Sequence, residues 1–177
     1  NEFNTGAYYR SKKGEMFLGG INGLNYFNPN AIKDNPYKPD IVLTRLKIRD
    51  QYVSIRSNNS MLQKTISETD EIILSYDDDI IIFEFAALDY SASQKNKYAY
   101  KLENLNKDWI YSGSDRSATF THLPFGEYVL RVKASNNDGV WNETGIAIKL
   151  IITPPWWSTW WAYILYGVFI LSVLYLI

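Results

Sequence analysis

Residues 97–102 read Lys-Tyr-Ala-Tyr-Lys-Leu, and this stretch decides the fold class of the 177-residue chain. Large side chains at Tyr98, Tyr100 and Leu102 alternate with a small residue and a charged one, which is the period-two pattern of a strand with one buried face. Turn-forming asparagines and an aspartate follow, and Trp109 then begins a segment that returns along the first. The stretch therefore predicts an antiparallel pair of strands.

A second signal lies at residues 123–128, which read Leu-Pro-Phe-Gly-Glu-Tyr. A leucine, a Pro/Gly turn and a tyrosine that opens a strand are the sequence form of the tyrosine corner of immunoglobulin-like sandwiches. We expect the hydroxyl of Tyr128 to bond to the backbone a few residues upstream. Together the two stretches predict an all-β fold, an immunoglobulin- or fibronectin-like antiparallel β-sandwich.

Strand patterns recur over about 110 residues, close to the ~100 that are typical of such a sandwich. In the first strand, Val42, Thr44 and Leu46 are expected to share one face, and residues 80–85 are apolar on both faces, as in a central strand. A loop is expected at 56–64. The predicted strands are 41–49, 52–55, 71–75, 80–85, 98–102, 118–121, 128–134 and 146–152.

The composition excludes several classes of function. Lysine and arginine total 18 against 19 acidic residues, and the net charge of −1 gives no electrostatic argument for binding nucleic acid. The chain has no cysteine, which excludes a disulfide framework and a thiolate metal site. His122 is the only histidine, which excludes a histidine-based triad and a multi-histidine metal site. We therefore expect no cofactor, no metal and no catalytic residues.

The N-terminal part differs from the rest in its pattern. Residues 5–29 read as three short strands joined by glycine and Asn-Gly turns, as in one blade of a β-propeller. The amino-acid sequence of residues 14–29 also resembles the propeller repeat of bacterial sensor ectodomains. The alternative is a hairpin that packs on the next domain. Residues 31–40 hold two prolines among Asn and Asp residues, which is typical of a stiff linker.

The C-terminal segment is uncharged from Pro154 onward. As a helix, the ~22 residues from Trp156 would span roughly 33 Å, the thickness of a bilayer's hydrocarbon core. We expect the start of a transmembrane helix near Ser158, in a sequence that is a fragment of a longer protein. The predicted domains are a propeller-blade remnant at 1–32, a linker at 33–40, the sandwich at 41–153 and a juxtamembrane segment with its truncated helix at 154–177.

Six short motifs occur in a fixed order along the chain. They are Asp89-Tyr90, residues 98–102, Asp108-Trp109, residues 123–128, residues 134–142 and residues 154–157. Together they resemble the YYY domain, which lies between a periplasmic propeller and a transmembrane helix in hybrid two-component sensors, mostly of gut Bacteroidetes. The resemblance covers about residues 38–157. It departs from the family at Asn104-Leu105, where a glycine often follows Leu-Glu, and this should change only the turn.

The resemblance implies a function for the chain. It would be a non-catalytic periplasmic module of an inner-membrane sensor histidine kinase, linking a carbohydrate-sensing propeller to the transmembrane helix. Its partners would be a second copy in a homodimer, an oligosaccharide held by the missing propeller, and the membrane, with no nucleic acid bound by this part. Two alternatives remain open: a structural or adhesive fibronectin-like module of a membrane-anchored protein, and an accessory domain of a glycan-active enzyme.

Two groups of residues are the candidate sites. Pro154 and Pro155 fix φ and remove two donors, so they should form a stiff connector from the last strand into the helix. The tryptophans that follow match the aromatic belt of a membrane interface, and they are Trp156, Trp157, Trp160 and Trp161. The predicted structural-motif residues are Tyr98, Tyr100, Trp109, Tyr128 and Trp141.

Four other features are better explained by structure than by ligand binding. Asp77-Asp78-Asp79 could bind Ca²⁺, but it lacks the pattern of a calcium loop and reads as a solvated turn. Residues 136–139 have the composition of a turn with positive φ. Glu84 lies in an apolar strand and is expected to have an Arg or Tyr partner or to face solvent. Tyr90, like Tyr98 and Tyr100, could stack on sugars, but strand-patterned aromatics more often lie in the core.

Overall fold

The computed structural model describes residues 3–53, 62 and 64–176. It divides the chain into two compact units, Asn1–Pro36 and Tyr37–Ile177. The first unit holds a small sheet, and the second holds two larger sheets and a helix.

The first unit is a three-stranded antiparallel sheet. Its strands, in their order in the sheet, are β1 (Phe3–Arg10), β2 (Met16–Gly20) and β3 (Gly23–Phe27). Gly14 makes the turn between β1 and β2 at φ +86°, a conformation that favours glycine. All five residues of β3 are exposed. Three short strands are therefore present, as predicted, and their assignment to a propeller blade stays a prediction.

The described residues of the second unit form nine strands in two sheets. The strands are β4 (Ile41–Ile48), β5 (Gln51–Tyr52), β6 (Glu71–Ser75), β7 (Ile80–Ala87), β8 (Lys97–Glu103), β9 (Ile110–Gly113), β10 (Ser117–Thr121), β11 (Gly126–Ser135) and β12 (Trp141–Thr153). The four-stranded sheet has the order β10-β7-β4-β5, and the five-stranded sheet has the order β6-β12-β11-β8-β9. Neighbouring strands are antiparallel, except that β6 and β12 are parallel.

One hydrophobic core lies between the two sheets. Alternate residues of β7 are buried, as the period of two in a strand predicts, and Ile81, Phe83 and Phe85 are at most 1% exposed. Leu102, Leu130 and Leu150 of the five-stranded sheet are fully buried in the same core. The predictions of a mostly β chain with antiparallel sheets are confirmed, and the arrangement is consistent with the predicted β-sandwich. We call residues 37–153 the two-sheet unit.

The face predicted for β4 is wrong over its first half. Leu43 is buried and Thr44 is exposed, whereas Leu46 is buried again. The reason is a β-bulge, because Leu43 pairs with Phe85 while Arg45 pairs with the adjacent residue of β7. One extra residue in a strand reverses the alternation beyond it. Val42 and Thr44 therefore do not share the buried face of Leu46.

Other strand limits differ modestly from the predictions. β6 has the predicted bounds, whereas β12 begins five residues earlier than predicted, at Trp141. β5 is Gln51–Tyr52, so Val53 is not part of the strand, contrary to the prediction, and the last two residues of the predicted strand, 54 and 55, lie outside the described residues. Most of the loop predicted at 56–64 also lies outside them.

The chain continues from β12 into a 3₁₀ turn at Trp156–Ser158 and then into α1 (Trp160–Leu176). The helix begins two residues later than expected, because Ser158 closes the 3₁₀ turn and Thr159 is extended, with ψ at 156°. The carbonyl of Thr159 accepts the N–H of Ala162 at 3.1 Å. None of the helices within residues 3–53, 62 and 64–176 is both long enough and apolar enough to cross a membrane.

Candidate functional site: the two ends of β12

β12 runs the length of the two-sheet unit. It has 13 residues, so it extends over roughly 40 Å. It is paired with β11 over most of its length and with β6 from Lys149 to Thr153, and Ile148, Leu150 and Ile152 are at most 2% exposed in the core. A strand held in this way moves only with the core. We call the end of the unit near Trp141 the linker end and the end near Thr153 the helix end.

At Gly145, β12 lies against the backbone of Val132 and Lys133 in β11. The register between the two strands shifts between Val132 and Ala134. Gly145 has φ +57°, and a Cβ added there would lie 2.2 Å from the carbonyl oxygen of Val132. Only a residue without a side chain fits, because both the dihedral and the close approach exclude Cβ. Gly145 therefore fixes how β12 lies against β11.

At the linker end, two asparagines hold the incoming chain. The Nδ2 of Asn136 donates to the carbonyl of Tyr37 at 2.8 Å, and the Nδ2 of Asn142 donates to the carbonyl of Pro39 at 3.0 Å. The backbone N–H of Leu88 donates to the carbonyl of Asp40 at 2.7 Å. The segment 37–40 is thus attached to the turn between β11 and β12, and to β12 itself. The sequence indicated only a turn at Asn136, because the carbonyl of Tyr37 that it binds lies 99 residues away and no local pattern predicts such a contact.

At the helix end, the connector packs against the unit. The hydroxyl of Thr153 donates to the carbonyl of Leu74 in β6 at 3.0 Å. Pro155 is buried, at φ −62° and ψ 151°. The indole of Trp157 meets the ring of Tyr76 edge to face, with centroids 5.2 Å apart. Residues 153–157 are therefore held on both sides of the two prolines.

The tryptophans of the predicted belt form a second contact group. Trp156 stacks on Trp161 at 6.3 Å between centroids, and it meets Trp157 edge to face at 5.7 Å. Trp160 remains 76% exposed. Below them, burial raises the pKa of the Tyr76 phenol, and the neighbouring Asp77 raises it further, so Tyr76 is neutral at physiological pH. The junction between strand and helix is aromatic and uncharged.

Tyr98 and Tyr128 lie in the core and Tyr100 packs against it, whereas the core position expected for Tyr90 is wrong. The hydroxyl of Tyr98, which is 1% exposed, accepts the backbone N–H of Ala87 at 3.2 Å. Tyr100 packs against Phe120 with centroids 5.9 Å apart. The hydroxyl of Tyr128 donates to the carbonyl of Pro124 at 2.9 Å, which confirms the predicted tyrosine-corner hydrogen bond. Burial leaves Tyr98 without a free face for a sugar, whereas Tyr90 is 83% exposed.

Trp109 and Trp141 meet around a buried lysine that sequence analysis missed. The Nζ of Lys133 lies 4.7 Å from the ring centroid of Trp109, 5.3 Å from that of Trp141 and 5.5 Å from that of Tyr111. It donates to Glu143 at 2.9 Å, and the lysine side chain is 8% exposed. Three ring faces and one carboxylate thus replace the water around this ammonium group.

The charge state of Lys133 follows from this arrangement. Burial is the largest influence and lowers the pKa of the ammonium group. The hydrogen bond to Glu143, the charge of Glu143 and the contact with Tyr111 together outweigh it and raise the pKa above the ordinary lysine value. Lys133 is therefore a charged structural residue that ties β11 to β12 and β9.

Glu84 has two ion-pair partners, Lys47 and Arg45. Its carboxylate lies 3.4 Å from the Nζ of Lys47 and 3.7 Å from Arg45, on the outer face of the four-stranded sheet. Hydrogen bonds to Tyr52 and then to Glu84 raise the pKa of Lys47. A glycosidase needs two carboxyl groups across one bond. The pairing of Glu84 with cations therefore favours a structural role.

The acidic turn at 77–79 also has a local explanation. The carboxylate of Asp78 accepts the backbone N–H of Ser75 at 2.8 Å, and the backbone N–H of His122 donates to the carbonyl of Asp79 at 2.8 Å. Within the described part of the chain, no three His, Cys, Asp or Glu side chains are placed to hold a metal ion.

Comparisons with known proteins agree with this picture. Residues 89–153 match the Y_Y_Y domain family. Histidine kinase P4 of Formosa agariphila is 31% identical over 167 residues, which are 94% of this chain and 12% of that protein. The chain therefore spans about an eighth of the length of this curated relative.

Two solved extracellular domains from B. thetaiotaomicron are similar in structure. The extracellular domain of BT4673 is named in one structure as part of a one-component system and in another as part of a hybrid two-component system. In the first of these structures it is 30% identical to this chain with a TM-score of 0.61, and the match covers 88% of this chain and 22% of that one. That of BT3049, also named as a hybrid two-component system, is 29% identical with a TM-score of 0.64, covering 87% and 20%. The predicted resemblance to YYY-domain sensors is confirmed.

Proposed function

We propose that this chain, with its Y_Y_Y domain, is a non-catalytic periplasmic module of a membrane-bound two-component sensor. It links a carbohydrate-sensing propeller to a transmembrane helix, contributes to dimerisation, and passes the signal between them. The similarity to a histidine kinase and to extracellular domains of two-component systems supports a sensor role. The domain limits at 1–32, 33–40, 41–153 and 154–177 are part of the proposal.

The observation that carries this proposal is the placement of β12. Its first residues hold the incoming linker through Asn142, and its last residue leads directly into Pro154 and Pro155. Between these points the strand is paired with β11 over most of its length and with β6 from Lys149 to Thr153, and alternate residues from Ile148 to Ile152 are buried in the core. A displacement of the linker segment would therefore be carried along a rigid element to the helix, because a packed core does not absorb it.

The connector supports the same role. Two consecutive prolines keep the backbone extended, and the Trp157–Tyr76 contact holds the 3₁₀ turn against the unit. A flexible spacer of glycine and serine would lose a rotation or shift of the domain. This chain has no such spacer between β12 and α1.

We propose that α1 lies in the membrane. The chain carries no charge from Pro154 through Leu176, and Ala162 is the only buried residue that α1 shows among its described side chains. A helix that is apolar on all sides is covered by lipid or protein. The Trp residues at its start fit the aromatic belt at a membrane interface.

The test is a change of connector stiffness in the full-length sensor. We expect Pro154→Gly with Pro155→Gly to abolish ligand-dependent transcription, since flexible backbone would uncouple β12 from α1. The inducer is the polysaccharide digest, from a panel, that activates a reporter in cells with the wild-type protein. Expression level and membrane content are matched by immunoblot.

The control inserts two glycines between Gly113 and Ser114, in the exposed turn between β9 and β10, which leaves the connector unchanged. This variant should respond like the wild type. If the Gly-Gly connector variant also responds like the wild type, signal transfer through the connector is wrong, and a structural or adhesive role for the unit becomes the better explanation.

A further inference from the structure

We propose that the helix end of the two-sheet unit itself contacts the lipid interface, through Phe125 and Leu105, so that the unit and α1 meet the bilayer as one body. The inference rests on the proposed insertion of α1. It goes further, because α1 could insert without any contact between the two-sheet unit and lipid. We call Phe125 and Leu105 the apolar row. Its occupant is the interfacial region of a phospholipid bilayer.

Phe125 lies at the helix end beside the connector. The next residue, Gly126, pairs with Ile152, one residue before β12 ends. The turn is held by the tyrosine-corner hydrogen bond to Pro124. Although Leu123 in the same turn is buried, the phenyl ring of Phe125 is 59% exposed. A rigid turn thus presents a large aromatic side chain to the outside.

Leu105, the other residue of the row, follows β8, which is the strand next to β11. It lies in the turn between β8 and β9, where the sequence departs from its family. Asn104 adopts φ +70°, and its Nδ2 donates to the carbonyl of Glu127 in β11 at 2.9 Å. The turn is thereby attached to the strand that carries Phe125, and Leu105 is 47% exposed. β8 lies two strands from β12, a distance of roughly 10 Å.

The row lies at the same end of the unit as the aromatic junction. Trp156 is 60% exposed and Trp157 is 43% exposed where the chain leaves the unit toward α1. Tryptophan and phenylalanine suit the boundary between headgroups and acyl chains. A uniformly apolar helix that starts at this end brings the bilayer to the same side as the row, which is why lipid is the favoured occupant rather than a second protein.

Charged groups of this end lie on both sides of β12. Lys107 and Asp108 are exposed in the turn that contains Leu105, and Glu103 at the end of β8 pairs with Arg131 at 2.7 Å. The acidic turn at 77–79 follows β6, which neighbours β12 opposite to β11. Beside the row, Glu127 is paired with Lys149 at 3.0 Å, and that pairing raises the pKa of the lysine. We therefore expect an inclined contact, with the row in the interface and the acidic turn in water.

Site-directed spin labelling tests this placement directly, because the chain has no native cysteine. The full chain is reconstituted in vesicles of phosphatidylethanolamine and phosphatidylglycerol, with one nitroxide at Phe125→Cys, Leu105→Cys, Leu165→Cys in α1 or Tyr90→Cys. Tyr90 is the matched control, an exposed aromatic residue at the linker end. Relaxation by oxygen, which favours lipid, is compared with relaxation by a water-soluble nickel chelate.

We expect oxygen to dominate at 125, 105 and 165, and the nickel chelate to dominate at 90. If 165 reports lipid while 125 and 105 behave like 90, the docking inference is overturned and the proposed function stands. If 165 itself reports water, the membrane insertion of α1 fails, and the docking inference fails with it.

A second measurement separates docking from local unfolding. Phe125→Asp in the Leu105→Cys background should reverse the oxygen preference at 105, because a carboxylate lifts the row out of the interface. Tyr90→Asp in the same background should leave it unchanged. Both variants are compared with the parent by thermal unfolding. A Phe125→Asp variant that stays folded and keeps the lipid signal at 105 refutes the row.

Discussion

The two-sheet unit and the three-stranded sheet are both regular β-structure, but among the described residues the buried hydrophobic core lies in the first. Core residues of the two-sheet unit such as Phe83 and Leu130 are fully buried. In the three-stranded sheet, Tyr8 is 72% exposed and Tyr26 is 62% exposed. Its main side-chain packing is a short row of rings in which Phe17 lies 5.2 Å from Tyr26. The strands of both regions are joined by the same kind of backbone hydrogen bonds, but the two regions differ in how far their apolar side chains are buried.

The difference shows that ladder formation and stability are separate outcomes of a sequence. A sheet becomes stable when one of its faces is covered by another layer, which removes apolar area from water. Three strands without a covering layer are at the lower limit of independent stability. We therefore expect the two regions to respond very differently to the same perturbations, measured on the full chain in detergent micelles.

The largest expected contrast is in amide hydrogen exchange. Amides of β7, β11 and β12 should open only by global unfolding, whereas amides of β1 to β3 should exchange through low-energy local opening. The gap corresponds to several kcal/mol in opening free energy. Exchange followed by mass spectrometry or NMR measures it. Equal protection of both regions would show that the three-stranded sheet shares the stability of the two-sheet unit, and that its exposed residues are covered.

A matched pair of phenylalanine truncations gives the next largest effect. Phe83→Ala should lower the free energy of unfolding of the two-sheet unit by about 3–5 kcal/mol, because it removes a fully buried ring and leaves a cavity. Phe17→Ala, in the three-stranded sheet, should leave that transition unchanged. Urea unfolding followed by tryptophan fluorescence reports the difference. A large effect of Phe17→Ala would contradict the separation of the two regions.

Glycine substitutions sharpen the comparison at the backbone. Alanine is strained at both Gly145 and Gly139, because both have positive φ, but only at 145 would its Cβ also clash with the carbonyl of Val132. Gly145→Ala should therefore lower the free energy of unfolding by about 1–3 kcal/mol more than Gly139→Ala does. Gly139 has φ +83° with nothing within 4 Å of its added Cβ. Gly14→Ala, at φ +86° in the first unit, should not shift the main transition. Equal costs at 145 and 139 would mean that β11 and β12 can move apart.

The tyrosine corner should contribute less. Tyr128→Phe should cost about 1 kcal/mol, because it removes the donor to the Pro124 carbonyl, which can still reach water. The same change at Tyr26, whose side chain is largely exposed, should leave the urea midpoint of the two-sheet unit where it is. A neutral result at Tyr128 would reject the hydrogen bond as a source of stability.

The smallest effect is a pH dependence at Lys133. Its folded pKa is raised above the unfolded lysine value of about 10.4, so the stabilisation is fully present below that pH and is lost as the pH rises through the folded pKa. Glu143→Gln removes a main cause of the shift. The stability difference between wild type and variant should be constant from pH 7 to 9, by our estimate about 1 kcal/mol or less, and should shrink above about pH 10.5.

The matched control for this prediction is Glu15→Gln in the first unit. Glu15 accepts a hydrogen bond from Ser11 within its own turn, so the change should not alter the stability of the two-sheet unit at any pH. Titrations common to all variants, including Lys47 and Lys149, cancel in the difference. A wild-type advantage over Glu143→Gln that persists undiminished to pH 12 would show that the ion pair is not its source.

Some of this fold could be predicted because its cause is local. Alternation of large side chains placed β8, a run that is apolar on both faces placed β7, and the Pro/Gly turn before Tyr128 predicted the corner hydrogen bond. These features depend on dihedral preferences and on a period of two within a few residues. The order of six short motifs likewise indicated the Y_Y_Y domain. No distant contact was needed for any of them.

The tertiary structure alone decided the rest. Four features depend on contacts between residues far apart in sequence. They are the bulge at Thr44, the parallel pairing of β6 with β12, the hydrogen bonds from asparagines to the linker, and the rings around Lys133. A lysine in a strand reads as a solvent-facing residue until three rings and a carboxylate are brought around it. The sequence by itself determined which segments become strands; their packing determined which polar residues hold the unit together, because hydrogen bonds and ion pairs depend on neighbours that only folding supplies.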